Sequence, residues 1–153
     1  MRILLKRMLF VWMLCASSIV FAATGDDAAV ATAYQNWCKA IGAAKGDAQQ
    51  VVKYYAKDAI LLPTLSAKIL RNNASGGMIE YFTKLTGNTD MKCTPEKLIT
   101  KVYDNEVAVN SGFYEFSYMD NGKLKKVPAR FTFVYEKLDG KWMIVNHHSS
   151  MLP

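Results

Sequence analysis

Three turn dipeptides, Asp104-Asn105, Asn121-Gly122 and Asp139-Gly140, recur at near-even intervals through the C-terminal part of this 153-residue chain and leave it little choice of fold. Asn, Asp and Gly tolerate the positive backbone φ that a tight two-residue hairpin demands. The segments between them are rich in β-branched and aromatic residues, which predicts four strands over Lys97–Tyr103, Glu106–Met119, Lys123–Lys137 and Lys141–Ser150. Connections this short make consecutive strands antiparallel neighbours, so the expected sheet is a meander.

Upstream of the meander the pattern is helical. From Asp26 or Asp27, either of which can cap a helix, to about Lys45, apolar residues fall at Val30, Tyr34, Trp37, Cys38 and Ile41, a single stripe. Gly46-Asp47 stops that helix and restarts a shorter one from Ala48 to Tyr55. Ala59–Leu62 before Pro63 reads as a short strand, and Ser75 caps a third helix over Gly76–Leu85. Helices first and a curled meander afterwards define an α+β fold, with three N-terminal helices packed on one face of a curved antiparallel sheet.

The first 22 residues stand apart. Arg2, Lys6 and Arg7 precede an apolar run from Met8 to Phe21, and Val20-Phe21-Ala22 supplies small residues where a signal peptidase cuts. Residues 1–22 therefore read as a cleaved signal peptide and 23–153 as one domain, exported to a periplasmic or extracellular space. A membrane anchor needs about 20 apolar residues, and Ser17 and Ser18 interrupt a shorter run here, so no membrane contact is expected after cleavage. Loss of the leader lowers the formal net charge from +6 to +3, too mild a balance for a nucleic-acid partner.

Cys38 and Cys93 remain in the processed chain. In an oxidising compartment they are either a disulfide or two separate buried thiols, and spacing alone does not choose. No CxxC pair exists and the only histidines, His147 and His148, are adjacent, so no metal and no cofactor is expected.

Alternation along the last strand gives both faces bulky groups: Trp142, Ile144, Asn146 and His148 on one, Met143, Val145 and His147 on the other. Three short helices cover one face only. A second copy of the chain, in a homodimer or a ring, is the expected cover for the other.

Tyr55-Ala56-Lys57-Asp58-Ala59 closing the second helix, and Asp139-Gly140-Lys141-Trp142 opening a strand that ends His148-Ser149-Ser150, resemble the nuclear-transport-factor-2-like (SnoaL-like) superfamily with its cone-shaped fold. The final 25 residues are similar to the association domain of calcium/calmodulin-dependent protein kinase II and its free-standing bacterial relatives of the SgcJ/EcaC type. The resemblance implies self-association through the sheet and a pocket between sheet and helices for a small polar or carboxylate ligand. Of the last-strand histidine pair in the eukaryotic domain, Asn146 and His148 hold the two positions. The pocket arginine of the preceding strand falls on Phe133, and Arg130 stands at a different position.

For chemistry, His148 and Ser149 point to opposite faces of a strand and cannot form a dyad, while His148 and Ser150 lie about 7 Å apart. The histidine pair is then either a satisfied structural group or a pocket donor through His148. A two-residue Asp139-Gly140 turn sets Phe131 opposite His148 and Arg130 opposite Ser149, and a bulge or a longer turn reverses this. Acid–base isomerisation or cyclisation needs a carboxylate in an apolar cleft. Glu115, between Tyr114 and Phe116, and Asp58, at the helix-to-strand junction, are the candidates, with interface charge and solvated cap as their bland readings. Tyr34, Trp37, Tyr81, Tyr114 and Trp142 supply core bulk, and some of them line the cone. A ligand set follows of His148, Arg130, Asn146, Tyr114, Trp37, Tyr81 and His147, around a small-ligand domain, a cofactor-independent isomerase or a pure assembly module.

Overall fold

The computed structural model describes residues 25–64, 66–72 and 77–153. The proposed leader and the Ser75 cap lie outside them. Chain order is α1 (Gly25–Ala43), α2 (Gln49–Val52), β1 (Tyr55–Leu62), β2 (Leu70–Arg71), α3 (Gly77–Thr86), β3 (Thr89–Tyr103), β4 (Val107–Asp120), β5 (Lys123–Leu138) and β6 (Lys141–Met151). The strands form one curved, open sheet in the order β2-β1-β6-β5-β4-β3. Among the described residues no helix is long and apolar enough to cross a membrane.

All three turn dipeptides close tight hairpins. Asp104 and Asn105, Asn121 and Gly122, Asp139 and Gly140 each have positive φ at both positions, the geometry whose twist matches that of the strands it joins. The meander β3-β4-β5-β6 is antiparallel throughout, but β1 enters beside β6 in parallel, so the sheet is mixed rather than purely antiparallel.

Two elements differ from expectation for identifiable reasons. The second helix ends after Val52, because the Tyr54 carbonyl accepts the Ile144 N–H at 2.9 Å and the sheet takes over the backbone where the helix was expected to continue to Tyr55. The strand expected from Lys97 begins at Thr89. Pro95 disguises it, yet β3 is the sheet edge, where a missing N–H costs little. One extra residue bulges between Pro95 and Leu98, and the Lys97 carbonyl comes so close to β4 that a Cβ on Gly112 would lie 1.8 Å from it. Only glycine fits there.

The apolar stripe of α1 packs on the concave inner face. Tyr34 stacks on Phe131 at 4.9 Å and Trp37 meets Phe133 edge-on at 5.0 Å. Asp26 lies in the first turn, where the helix dipole favours an anion, and binds Lys137 of β5 at 2.7 Å. At the β3 edge a Cys38–Cys93 disulfide, with Cα atoms 5.3 Å apart, ties α1 to the sheet. Among the described residues the convex outer face has no such cover, and Ile99, Phe113 and Leu124 stand exposed there.

Candidate functional site

Inside the cone a chain of polar side chains runs through aromatic packing. The Trp37 indole N–H donates to Tyr55 Oη at 3.1 Å, and Tyr55 Oη lies 2.8 Å from His147 Nδ1. On the other side of the ring His147 Nε2 is 3.4 Å from Tyr114 Oη, whose O–H donates to Ser149 Oγ at 2.6 Å. Ser149 in turn pairs with Thr64 Oγ1. These residues come from α1, β1, β4 and β6, with Thr64 two residues beyond β1, so only the folded sheet assembles them.

The proton order follows from donor supply. Tyr114 gives its one proton to Ser149, so the contact at Nε2 needs His147 as donor. Nδ1 is then the acceptor of the Tyr55 O–H, and the ring is neutral with its proton on Nε2. Burial depresses the His147 pKa well below the ordinary histidine value, and the adjacent His148 pushes the same way. Desolvation raises Tyr55 and Tyr114 well above an ordinary phenol. Every group in the chain is uncharged near neutral pH.

The polar chain borders a cavity of about 10 Å³, room for about one water, whose walls include Leu61, Tyr81, Phe82 and Phe116. Tyr81, its pKa raised to about 12 by burial, also borders an outer cleft of about 260 Å³ beside Lys68, Glu80 and Lys84. Glu80 and Lys84 are already paired, at 2.8 Å. Among the described residues no carboxylate or cationic side chain lines the inner cavity.

A single β-bulge decides which histidine faces inward. Val134 pairs with Asn146 and Tyr135 with Ile144, leaving Val145 as the extra residue of β6. Trp142 and Ile144 therefore point inward with His147 and Ser149, whereas His148 turns outward, which reverses the parity expected from an unbroken strand. Phe131 consequently opposes Ser149, Thr132 opposes His148 and Arg130 opposes Ser150.

The structure brings His147, Tyr114, Trp37 and Tyr81 of the expected ligand set together around the cavity. Arg130 and His148 share a face, the outer one, where Arg130 Nε donates to Ser150 Oγ at 2.9 Å. Asn146 sits half-buried at the bulge. Glu115 also faces outward and binds Lys126 at 2.9 Å, and Asp58 is exposed on β1. Among the described residues no group of three or more His, Cys, Asp and Glu could hold a metal ion.

Tyr55, Ser149 and Thr64 belong to the site but not to the expected set. Tyr55 carried a legible signal as an aromatic beside a helix end, whereas Ser149 turns inward only through the bulge and Thr64 has no local mark.

An open, curved sheet wrapped over an N-terminal helix is the cone of the nuclear-transport-factor-2-like class. A protein of that class from Streptomyces avermitilis, described as a dehydratase, aligns at a TM-score of 0.69 with 14% identity, covering 83% of this chain and 96% of its own. Residues 26–153 match the calcium/calmodulin dependent protein kinase II association domain, and the chain belongs to that family. A member from Xanthomonas campestris is 38% identical, with a TM-score of 0.73 over 81% of this chain and 86% of its own. The hub homology domain of the Chlamydomonas reinhardtii kinase aligns at 0.66 with 21% identity over 82% and 98%. No curated protein matches the sequence.

Proposed function

We propose that this chain is an exported self-associating domain whose copies meet through the outer face of the sheet, as a dimer or within a ring. The observation that carries this reading is the asymmetry of cover. The inner face is sealed by α1, while the outer face leaves Ile99 at 63%, Leu124 at 60% and Phe113 at 36% exposed on the same strands. Membership of an association-domain family points the same way. Export rests on the leader-like residues 1–22 and on the α1–β3 disulfide, a bond that persists in oxidising compartments.

Sedimentation over a concentration series tests the assembly: the processed chain should sediment as a dimer or larger, and Phe113→Asp should dissociate it without loss of fold. A wild-type chain that stays monomeric at high micromolar concentration would sink the reading. For export, the N-terminus of the chain recovered from a secreting host should be Ala23.

The buried polar chain favours a second reading, a small polar ligand seated in the outer cleft whose tip reaches past Tyr81 to the inner cavity. An interior without charge suits a neutral hydroxyl or carbonyl compound better than a carboxylate, because nothing on the cavity wall offsets an anion. Glu115 and Asp58, the carboxylates expected to serve isomerisation, both lie outside the cavity. Compounds that raise the melting temperature of the wild type should lose that effect in Ser149→Ala. A panel of neutral and anionic compounds with no effect on melting would remove this reading and leave the assembly reading untouched.

A further inference from the structure

The outward faces of β4 and β5 carry four charged side chains. Glu115 and Lys126 bind each other, whereas Arg130 and Glu136 are exposed and, among the described residues, have no ion-pair partner. Both sit on β5, on the same face and six residues apart, which separates them by about 20 Å. Opposite charges three residues to either side of Phe133 make that stretch of β5 complementary to an inverted copy of itself.

We propose that two copies pair face to face about a two-fold axis lying in the interface and crossing β5 between Thr132 and Val134, so that Arg130 meets Glu136 of the partner subunit twice over. This rests on the self-association read above and adds its register.

A two-fold axis in the interface plane, perpendicular to the strands, lays each strand antiparallel on its own copy. Residues equally far from the axis then face one another, and the pairing within the sheet fixes which these are. Phe113 lies level with Arg130, and Val107 lies level with Glu136. Phe113 therefore meets the partner's Val107, one exposed apolar group on another. Nearer the axis His148 lies level with Thr132, and Asn146 with Val134. His148 thereby comes within reach of the partner's Asn146, an imidazole opposite an amide. A single axis thus matches charge with charge on β5, apolar with apolar on β4 and polar with polar on β6.

Charge reversal tests the register. In sedimentation equilibrium, Arg130→Glu and Glu136→Arg should each weaken association by at least about tenfold, because each places like charges opposite one another at two points. The double variant R130E/E136R should return to within about threefold of wild type. An equimolar mixture of the two single variants should also associate as tightly as wild type, since each protomer then offers the charges its partner lacks. Mixing cannot rescue a folding defect, so recovery separates a cross-subunit pair from local damage. Wild-type assembly with single variants that associate normally would overturn the register alone. Assembly lost in the single variants and not recovered in the mixture would also overturn it. A wild-type chain that remains monomeric would overturn both the register and the reading it rests on.

Discussion

The two faces of the sheet use the same residue types to opposite ends. On the inner face, histidine, tyrosine and serine are linked in one chain, fully buried and neutral, with the imidazole and phenol protons assigned by their neighbours. On the outer face His148 and Ser150 lie on the same strand, each one residue from an inward neighbour, and Ser150 accepts from Arg130 of β5. Adjacent positions on β6 thus divide between holding the fold and presenting a surface. The contrast teaches that the chemistry of a residue in a sheet is set by parity, and that here parity is set by one bulge.

Breaking what anchors the inner lining should cost most. Replacing both cysteines, Cys38→Ala with Cys93→Ala, frees a loop of sequence separation 55 and should lower unfolding stability by about 4 kcal/mol, read from urea melts. Next comes the polar chain. Tyr55→Phe leaves the Trp37 N–H and His147 Nδ1 without partners in a dry interior, and a loss of about 2 to 3 kcal/mol is expected. The matching deletion outside, Ser150→Ala, removes a partner of Arg130 that water replaces, and should change stability by less than about 0.5 kcal/mol. Equal losses for the two hydroxyl deletions would erase the distinction between the faces.

Much of the fold was legible because its signals are local. The stripe from Val30 to Ile41 and the three turn dipeptides each announce themselves within a few residues, and all form as expected. The site was less legible because it depends on pairing across the sheet. Val145 looks like any strand residue, and it bulges only because the pairing of β6 with β5 slips by one residue beside it. That slip moved His147 and Ser149 inward and His148 outward. Arg130 and His148 do share a face, as a bulge was expected to arrange, but the face is convex. Tyr55 was legible as an aromatic at a helix end but not as a member of the site, because its strand is completed by parallel pairing with β6, which no local pattern announces.

Acid should separate the two histidines by a smaller margin. Unfolded His147 binds a proton below about pH 6.5, whereas in the folded chain burial keeps it neutral to lower pH. The unfolded state then holds more protons, so stability falls as pH falls. The contribution is intact above about pH 6.5 and erodes below it by up to about 1.4 kcal/mol per pH unit until the depressed folded value is reached. Between about pH 6.5 and 5 carboxylates remain largely ionised, which leaves this window to the imidazole. Urea melts across it should show the slope in wild type and a flat response in His147→Gln.

The smallest effect belongs to His148. Its ring is exposed on the outer face and makes no hydrogen bond to the described residues, so water solvates it folded and unfolded alike. Any cost of His148→Ala through a subunit contact would confuse the measurement, and the dissociated Phe113→Asp background removes that contribution. There His148→Ala should shift stability by less than about 0.5 kcal/mol and leave the acid slope of His147 in place. A loss of 2 kcal/mol or more, on the order of a buried polar deletion, would mean that His148 and not His147 is the inward histidine, and that β6 runs without its bulge.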